Sequence, residues 1–461
     1  MAAKTTDRTY MFEEMPIPNA VVNLCVPTII SSLVMMLYSL VDTYFVGLLN
    51  DPLQTAAVTL AGPVLLAFNA INNLFGVGSS SMMSRALGRK DTEAVSKSSA
   101  TGFYSALFCA AMISICCTAF KTPLLTLLGA SGDTLTTTSN YMFWTVTCGA
   151  IPAILNVLLA YMVRSEGAAL HASLGTMSGC ILNMILDPIM ILPWGLGMGA
   201  AGAGLATFIS NCFACAYFLV LILVIKRGKT YVCLNPAKIS YNKEIFLGIC
   251  IVGVPAAIQN LLNVTGMTIL NNFTAAFGAD AVSAMGISQK INMVPMYVAM
   301  GTSQGIMPLV SYNFSSGNSK RMKKAVYFTM AISQAFLLVM VVVLYCGAGP
   351  IISTFMKNEA VVMYGSRFLR SFCFGLPFIA MDFLAVGVFQ ACGMGKEALI
   401  FAIMRKVLLE IPALFILNHF FPLYGLPFAQ PCAEFILAIA AILVLRKLFA
   451  SLNEKTDVND L

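Results

Sequence analysis

Long apolar segments recur along the whole chain, and each can cross the hydrocarbon core of a bilayer, which needs about 20 helical residues. Short loops rich in Gly, Pro, Asn, Lys or Arg separate these segments. Hydrophobic residues make up 59% of the 461 residues, charged residues only 10%, and the mean hydropathy is +0.84. This composition excludes an ordinary soluble domain and predicts an all-α membrane protein.

The apolar segments predict about twelve membrane spans. The first six are predicted at residues 17–46, 53–84, 95–121, 133–163, 168–193 and 199–226, and the second six at 244–274, 281–314, 324–348, 360–391, 397–421 and 425–450. Several exceed the length of a straight crossing, so we expect them to tilt or to project beyond the membrane.

The second half of the chain repeats the first. Pro27 corresponds to Pro255, about 228 residues later, and the same offset relates three pairs of glycines: Gly76 and Gly305, Gly88 and Gly317, Gly197 and Gly425. Six spans return the chain to the side on which it started, so the two halves should be related by a pseudo-two-fold axis along the membrane normal.

The repeat predicts two six-helix bundles. Residues 1–226 form the first, residues 244–461 form the second, and the polar segment 227–243 is predicted to be a cytoplasmic linker between them. Two such bundles with a cleft between them are typical of proteins that alternate access across a membrane. A duplicated scaffold without a transport role is the alternative.

The positions of Lys and Arg predict the orientation, because positively charged short loops stay in the cytoplasm. Those predicted to be cytoplasmic are Arg85, Arg89, Lys90, Lys97, Lys226, Arg227, Lys229, Lys238, Lys243, Lys320, Arg321, Lys323 and Lys324. The opposite side carries only Lys121, Lys357, Arg367 and Arg370. We therefore predict a multi-pass protein of the cell (inner) membrane with both termini in the cytoplasm.

The net charge of +7 is explained by this topology, so we expect no nucleic-acid partner. The first 16 residues have neither an apolar core nor a small-residue cleavage site, which argues against a cleavable signal peptide.

The 14 cysteines lack metal-site spacing, so we expect packed thiols, no metal centre and no disulfide framework. No GxxxxGK loop is present, so direct ATP coupling is not expected.

One carboxylate is placed in the middle of the first predicted span. Asp42 follows Pro27 by fifteen residues, whereas the repeat offers uncharged Leu270 and Asn271 at the matching place. An intramembrane carboxylate is costly and usually functional. A proline within a helix removes a backbone hydrogen bond and permits a bend, so the charge of Asp42 and the shape of its helix could be coupled at Pro27.

A second polar group lies in spans five and six. Asn183 and Asp187 are four residues apart and share a helix face, and Thr207 follows a segment rich in Gly and Ala that lets helices approach closely. With Asp42 these residues offer only oxygen ligands, which suit a proton or a hard cation such as sodium. Taken singly, Asn183 and Thr207 could equally bridge helices.

The second half carries different polar residues. Span seven has Gln259, Asn260, Asn263 and Asn271, and span eight has methionines at helical spacing, namely Met293, Met296, Met300 and Met307. An adaptable methionine surface suits ligands of varied shape, although ordinary apolar packing gives the same pattern.

Asp382 in span ten is predicted to contact a substrate or an ion, or else to pair with another helix. Glu410 and Glu434 either pair with Arg405 or face a cleft, and we identify Lys290 as the mid-span cation.

Several segments of the chain resemble the multidrug and toxic compound extrusion (MATE) family. They are PTIISSLVMMLYSLVDTYFVG, GVGSSSMMSRALGRKD, LNMILDP and GAGLATFIS, and the second-half segment VFQACGMGKEALIFAIMRKVLLEIP is most similar to MepA-like and DinF-like members. The resemblance covers almost the whole chain, with the motifs in order.

This resemblance implies a cation-coupled exporter with twelve helices in two lobes. Asp42, Asn183, Asp187 and Thr207 match the family's N-lobe cation and proton site, and its proline-dependent bending of the first helix carries over to Pro27. Other branches of the family place a Glu in span seven. Here the span has Gln259, Asn260 and Asn263 instead, which argues against a coupling site built on that Glu.

We therefore expect a monomeric secondary transporter, not an enzyme, that exports organic cations or amphipathic drugs in exchange for protons or sodium ions. We expect Gln259, Asn260, Asn263, Met293, Met296, Met300 and Asp382 to line the substrate cleft, and no cofactor beyond the coupling ion. One alternative is a flippase for lipid-linked saccharides, which would need cationic residues to hold a pyrophosphate. Another is a membrane receptor or an intramembrane enzyme, although no signalling domain and no His or Cys cluster is present.

Overall fold

The computed structural model describes residues 6–130, 132–225 and 229–459. Lys226 at the end of predicted span six, and Arg227 and Gly228 of the predicted linker, therefore lie outside the described residues. Helices dominate this part of the chain, which contains no strand. In the first half the long helical segments are Ile17–Gly47, Pro52–Gly88, Thr92–Ala119, Asp133–Cys148 with Ala150–Ser165, Ala169–Ile191 and Ala200–Ile225. In the second half they are Lys243–Ala275, Ala279–Ser315, Ser319–Cys346, Glu359–Cys373 with Leu376–Ala391, Gly395–Ile403 continuing to Phe420, and Leu426–Leu452.

These segments correspond in order to the twelve predicted spans and are numbered 1 to 12 below. Eight are single helices with the length and apolar composition of a membrane span, and two more qualify as bent pairs. The two others are span 8, Ala279–Ser315, and span 11, whose middle contains Arg405, Lys406 and Glu410. Within the described residues the all-α, twelve-helix prediction is therefore confirmed.

Spans 4 and 10 share the same bend, which supports the repeat. Each is broken into two helices that meet at 49°, and the breaks lie at Gly149 in the first half and at Phe374 and Gly375 in the second. A proline follows each break within three residues, at Pro152 and Pro377. Since proline cannot donate a backbone hydrogen bond, it weakens the helix at equivalent places in the two halves.

In the part of the chain that the structure describes, four segments inside the spans are wound as π-helix rather than α-helix: Asn72–Val77, Phe143–Cys148, Leu221–Ile225 and Met404–Glu410. Such segments are rare and often coincide with functional sites. The last of them carries the charged residues of span 11.

The chain folds into two compact units, named here by their larger parts. The N-terminal unit contains residues 30–257, and the C-terminal unit contains residues 258–461 together with residues 1–29. These units differ from the predicted bundles, 1–226 and 244–461, in two places. Residues 1–29 belong to the C-terminal unit, and residues 227–257 belong to the N-terminal unit. Spans 1 and 7 each change unit within their length, two residues after Pro27 and Pro255 respectively.

The polar segment after span 6 is tied to the N-terminal unit. Ser99 and Thr101, both fully buried, each exchange two hydrogen bonds of 3.0–3.1 Å with the backbone, at Cys233 and Ser240 respectively. Glu166 accepts from the Tyr231 N–H at 2.7 Å. The described part of the predicted linker is thus a strap across spans 3 and 4.

Candidate functional site

Asn183 joins spans 5 and 6 at the centre of the candidate site. Its amide nitrogen donates to Asp187 Oδ2 at 2.9 Å, and its Oδ1 accepts from the backbone N–H of Thr207 at 3.1 Å. This orientation follows from the neighbours, because a carboxylate accepts and a backbone N–H donates. Asn183 and Asp187 expose 2% and 0% of their surfaces. Three of the predicted residues therefore form one hydrogen-bonded group, in which Asn183 and Asp187 are buried and Thr207 is half-buried.

The two helices that carry this group pack at very short range. A Cβ added to Gly202 at the start of span 6 would lie 2.3 Å from the carbonyl oxygen of Met190 in span 5. Only glycine permits this approach, as the Gly and Ala content of the segment predicted. The close packing holds Thr207 within hydrogen-bond distance of Asn183.

Asp42 on span 1 faces the same group. It is half-buried, and its Oδ1 is enclosed without a hydrogen-bond partner among the described residues. Asp42 lies close enough to Asp187 for the two carboxylates to interact electrostatically. The structure thus brings together all four residues that the sequence predicted.

Two tyrosines belong to the site and were missed by the sequence analysis. Tyr38 lies one turn before Asp42, interacts with it electrostatically and is hydrogen-bonded to the Thr207 side chain. Tyr141 on span 4 is buried and interacts with both Asp42 and Asp187. The four-residue spacing between Tyr38 and Asp42 was a usable signal. Nothing in the local sequence marked Tyr141.

The site offers two carboxylates, an amide oxygen and hydroxyl groups within an apolar helix bundle. Within the described residues no cluster of His, Cys, Asp and Glu has the make-up of a transition-metal centre. Oxygen donors suit a hard monovalent cation or a proton. Two neighbouring carboxylates repel each other, so a bound cation or proton would stabilise the pair.

The predicted polar face of span 7 lies in the C-terminal unit from Gln259 onward. Gln259 accepts a hydrogen bond of 3.5 Å from the Gln390 amide, while Asn260 and Asn263 are half-buried. On span 8, Met293, Met296 and Met300 are also half-buried.

Met296 packs against an apolar cluster of the C-terminal unit, and its sulfur lies 3.9 Å from the Gln430 amide nitrogen. The substrate role predicted for these amides and methionines stays a prediction.

Asp382 lies in a buried group of charges. Arg405 on span 11 contacts Asp382 at 3.4 Å and also binds Glu434 on span 12. These three side chains expose 2% of their surfaces or less. The guanidinium also lies 4.8 Å from the centre of the Phe383 ring. The sequence left open whether Glu434 pairs with Arg405 or faces a cleft, and in the structure the two are paired. It also left open whether Asp382 contacts a ligand or pairs with another helix, and in the structure Asp382 contacts Arg405 of span 11.

A second charge pair follows in the same π-helical segment. Lys406 Nζ contacts both carboxylate oxygens of Glu410, at 2.6 and 2.8 Å, and the two side chains are buried. Lys290, the mid-span cation identified from the sequence, is exposed, whereas Arg405 and Lys406 are buried and were not recognised from the sequence as buried cations. That identification was incomplete because pairing with acids on neighbouring turns and helices is what makes such burial tolerable.

Twelve long helical segments in two repeats, with a cluster of carboxylate, amide and hydroxyl groups inside one half, define a polytopic membrane transporter within the described part of the chain. Residues 27–189 and 255–416 match the MatE family, one match in each repeat. The chain belongs to this family, the MATE transporters.

Relatives and solved structures agree over nearly the full chain. The multidrug export protein MepA of Staphylococcus aureus strain MRSA252 is 32% identical over 440 residues, which are 95% of each chain. The protein of the same name from Staphylococcus saprophyticus has the same identity and coverage. A crystal structure of a MATE protein in complex with MaL6 superposes with a TM-score of 0.91 at 25% identity, covering 97% of this chain and all of the other.

Proposed function

We propose that this protein is a secondary active multidrug exporter of the cell membrane that moves organic cations or amphipathic drugs outward in exchange for protons or sodium ions. The arrangement of Asp42, Asn183, Asp187 and Thr207 carries the proposal. The relatives of 32% identity are multidrug export proteins, which supports the substrate class. No cofactor beyond the coupling ion is required.

The coupling ion acts on the charge of the two carboxylates. Asp187 is held by Asn183, whereas Asp42 Oδ1 is enclosed without a protein donor among the described residues. Asp42 is therefore the group whose interactions change most when a proton or sodium ion arrives. Thr207 and Tyr38 supply further oxygens to the same cation.

Ion binding is coupled to helix shape through span 1. Asp42 and Pro27 lie on one helix, Ile17–Gly47, and Pro27 lacks the N–H that would complete the backbone ladder. Neutralising Asp42 removes its repulsion with Asp187 and favours a different bend at Pro27, which releases substrate. The cycle then restarts with both carboxylates ionised.

Substrate contacts are assigned to the C-terminal unit. Its half-buried amides and methionines, Gln259, Asn260, Asn263, Met293, Met296 and Met300, combine hydrogen-bonding groups with deformable apolar surface. Asp382 would attract a cationic drug only if its contact with Arg405 were exchanged. We therefore place Asp382 behind the other residues in importance for substrate.

The flippase alternative finds no support in these side chains. A lipid pyrophosphate needs several available cations. The buried Arg405 and Lys406 already contact carboxylates, and the exposed Lys290 supplies a single further charge in span 8. The orientation with both termini in the cytoplasm and the action as a monomer are parts of the proposal.

The test is dye efflux from cells that express Asp42→Asn. The amide keeps the shape of the side chain but carries no negative charge for a proton or sodium ion to neutralise. Ion-driven efflux should therefore fall to the level of cells without the transporter. Asp133→Asn, an exposed acidic residue in the first turn of span 4, is the matched control and should export normally. Normal efflux by Asp42→Asn at normal expression would exclude Asp42 from ion coupling.

A further inference from the structure

The short helix Thr6–Glu13 precedes span 1, and its end is fastened to the C-terminal unit. The last carbonyl groups of a helix have no partner within it and need donors from elsewhere. Here the donor is Arg321 at the start of span 9. Its Nε donates to the Phe12 carbonyl at 2.6 Å, and its Nη2 donates to the carbonyls of Met11 at 3.2 Å and Met15 at 2.5 Å.

Span 8 contributes two further contacts to the same segment. Tyr312 donates its hydroxyl to Glu13 Oε1 at 2.6 Å, and Asn313 donates to the Phe12 carbonyl at 3.1 Å. The rings of Phe12 and Tyr312 are stacked 4.9 Å apart, and Phe12 is 2% exposed. The segment is therefore held by charge-assisted hydrogen bonds and by an aromatic contact.

The first part of span 1 continues this attachment. Ala20, Val21, Leu24 and Cys25 expose 4% of their surfaces or less. A Cβ added to Gly305 of span 8 would lie 2.7 Å from Cys25 Cα, so glycine permits the close approach. The segment from Phe12 to Cys25 thus contacts spans 8 and 9 of the C-terminal unit. Pro27 follows directly after this segment.

We propose that residues 10–15, held by Arg321, Tyr312 and Asn313, form an N-terminal latch that fixes the base of span 1. With the base fixed, a bend at Pro27 moves the arm that carries Asp42. Without the latch the short arm before Pro27 follows the movement, and ion binding is less effectively converted into substrate release. This role in transport rests on the proposed function, whereas the latch itself does not.

The start of the second repeat is held in the same way, which supports the inference independently. The strap of residues 230–240 precedes span 7 and is bound to the N-terminal unit by Ser99, Thr101 and Glu166. Both repeats therefore fasten the segment before a proline-containing first helix. Arg321 is a positioning residue, because its side chain donates to the backbone carbonyls of residues 11, 12 and 15 and acts on the ion site only through span 1.

Hydrogen exchange of the purified full-length protein tests the latch directly. In Arg321→Ala, the amides of Glu14 and Met15, which are bonded to the Tyr10 carbonyl, should exchange about tenfold faster or more, since charge-assisted hydrogen bonds are lost. Lys320→Ala removes the same charge from the exposed neighbouring residue and should leave exchange unchanged. Tyr312→Phe keeps the ring and should give a smaller acceleration. Unchanged exchange in Arg321→Ala would overturn the latch.

Efflux from vesicles tests the consequence for transport. Arg321→Ala should lower the initial rate of ion-driven efflux several-fold at an unchanged KM for the dye, and Arg321→Lys, which keeps the charge without the planar fork, should lie between it and wild type. Faster exchange with unaltered efflux would overturn the role in coupling. If wild type itself fails to export with either ion gradient, the proposed function is wrong, and the exchange result still decides the latch.

Discussion

At the scale of single residues, Asn183 holds the candidate cation site together. Its amide satisfies Asp187 and a backbone group of span 6 at once. Asn183→Ala should leave the buried carboxylate with one donor fewer, a loss of about 1–3 kcal/mol in the free energy of unfolding. Thermal unfolding in detergent measures this, with Asn23→Ala on the exposed side of span 1 as control. An unaltered unfolding temperature would contradict the bridging role.

Arg405 gives a second prediction at this scale. Arg405→Met leaves Asp382 and Glu434 buried without their cation and should cost about 3–5 kcal/mol. Replacing all three, as Asp382→Asn, Arg405→Met and Glu434→Gln together, should recover much of that stability, because no charge then remains unpaired. Arg446→Met removes an exposed arginine from span 12 and should change little. Equal unfolding temperatures for Arg405→Met and wild type would exclude the buried ion group.

At the scale of helices and loops, the spans and their order could be predicted from apolar periodicity alone, because the bilayer sets the length of each helix. The π-helical turns could not, since they depend on packing against neighbouring helices. Span 11 illustrates the limit. Its Arg405, Lys406 and Glu410 reduce its apolar character, and only their contacts across helices explain how a membrane segment can contain them.

The strap after span 6 could not be predicted from the sequence either. Residues 227–243 are polar, which is typical of a linker, and the bonding hydroxyls belong to the distant segment SKSSATGFY of span 3. The candidate ion site was more predictable from the sequence, because carboxylates in the middle of a span are rare. Comparison of the two repeats also shows that Asp42 has only uncharged Leu270 and Asn271 at the matching place. Tyr141 could not be found in this way, because an aromatic residue in an apolar span is unremarkable in sequence.

The strap leads to a prediction at the scale of elements. Ser99→Ala with Thr101→Val removes the four hydrogen bonds to Cys233 and Ser240. Trypsin should then cleave faster after Lys229 and Lys238, which are exposed already, because the strap around them is no longer held in place. Ser96→Ala is the control, because its hydroxyl bonds to Thr92 within the same helix. Cleavage at the same rate as in wild type would show that the strap does not depend on these hydroxyls.

At the scale of the whole molecule, duplication has produced two halves with a shared frame and different chemistry. The bends of spans 4 and 10 are equal, and the segments before spans 1 and 7 are both fastened. Yet the first half holds Asp42 and Asp187 beside hydroxyls and an amide, whereas the buried acids Asp382, Glu410 and Glu434 of the second half contact Arg405 or Lys406. We infer that the first half takes up the coupling ion and that the second contributes substrate contacts.

Dye extrusion from vesicles that contain the purified protein tests this account most directly. A pH gradient and a sodium gradient are imposed separately, on wild type and on Asp42→Asn. We predict extrusion by wild type under at least one gradient and by Asp42→Asn under neither. Extrusion by wild type under neither gradient, or undiminished extrusion by Asp42→Asn, would contradict ion coupling at the site of Asp42, Asn183, Asp187 and Thr207.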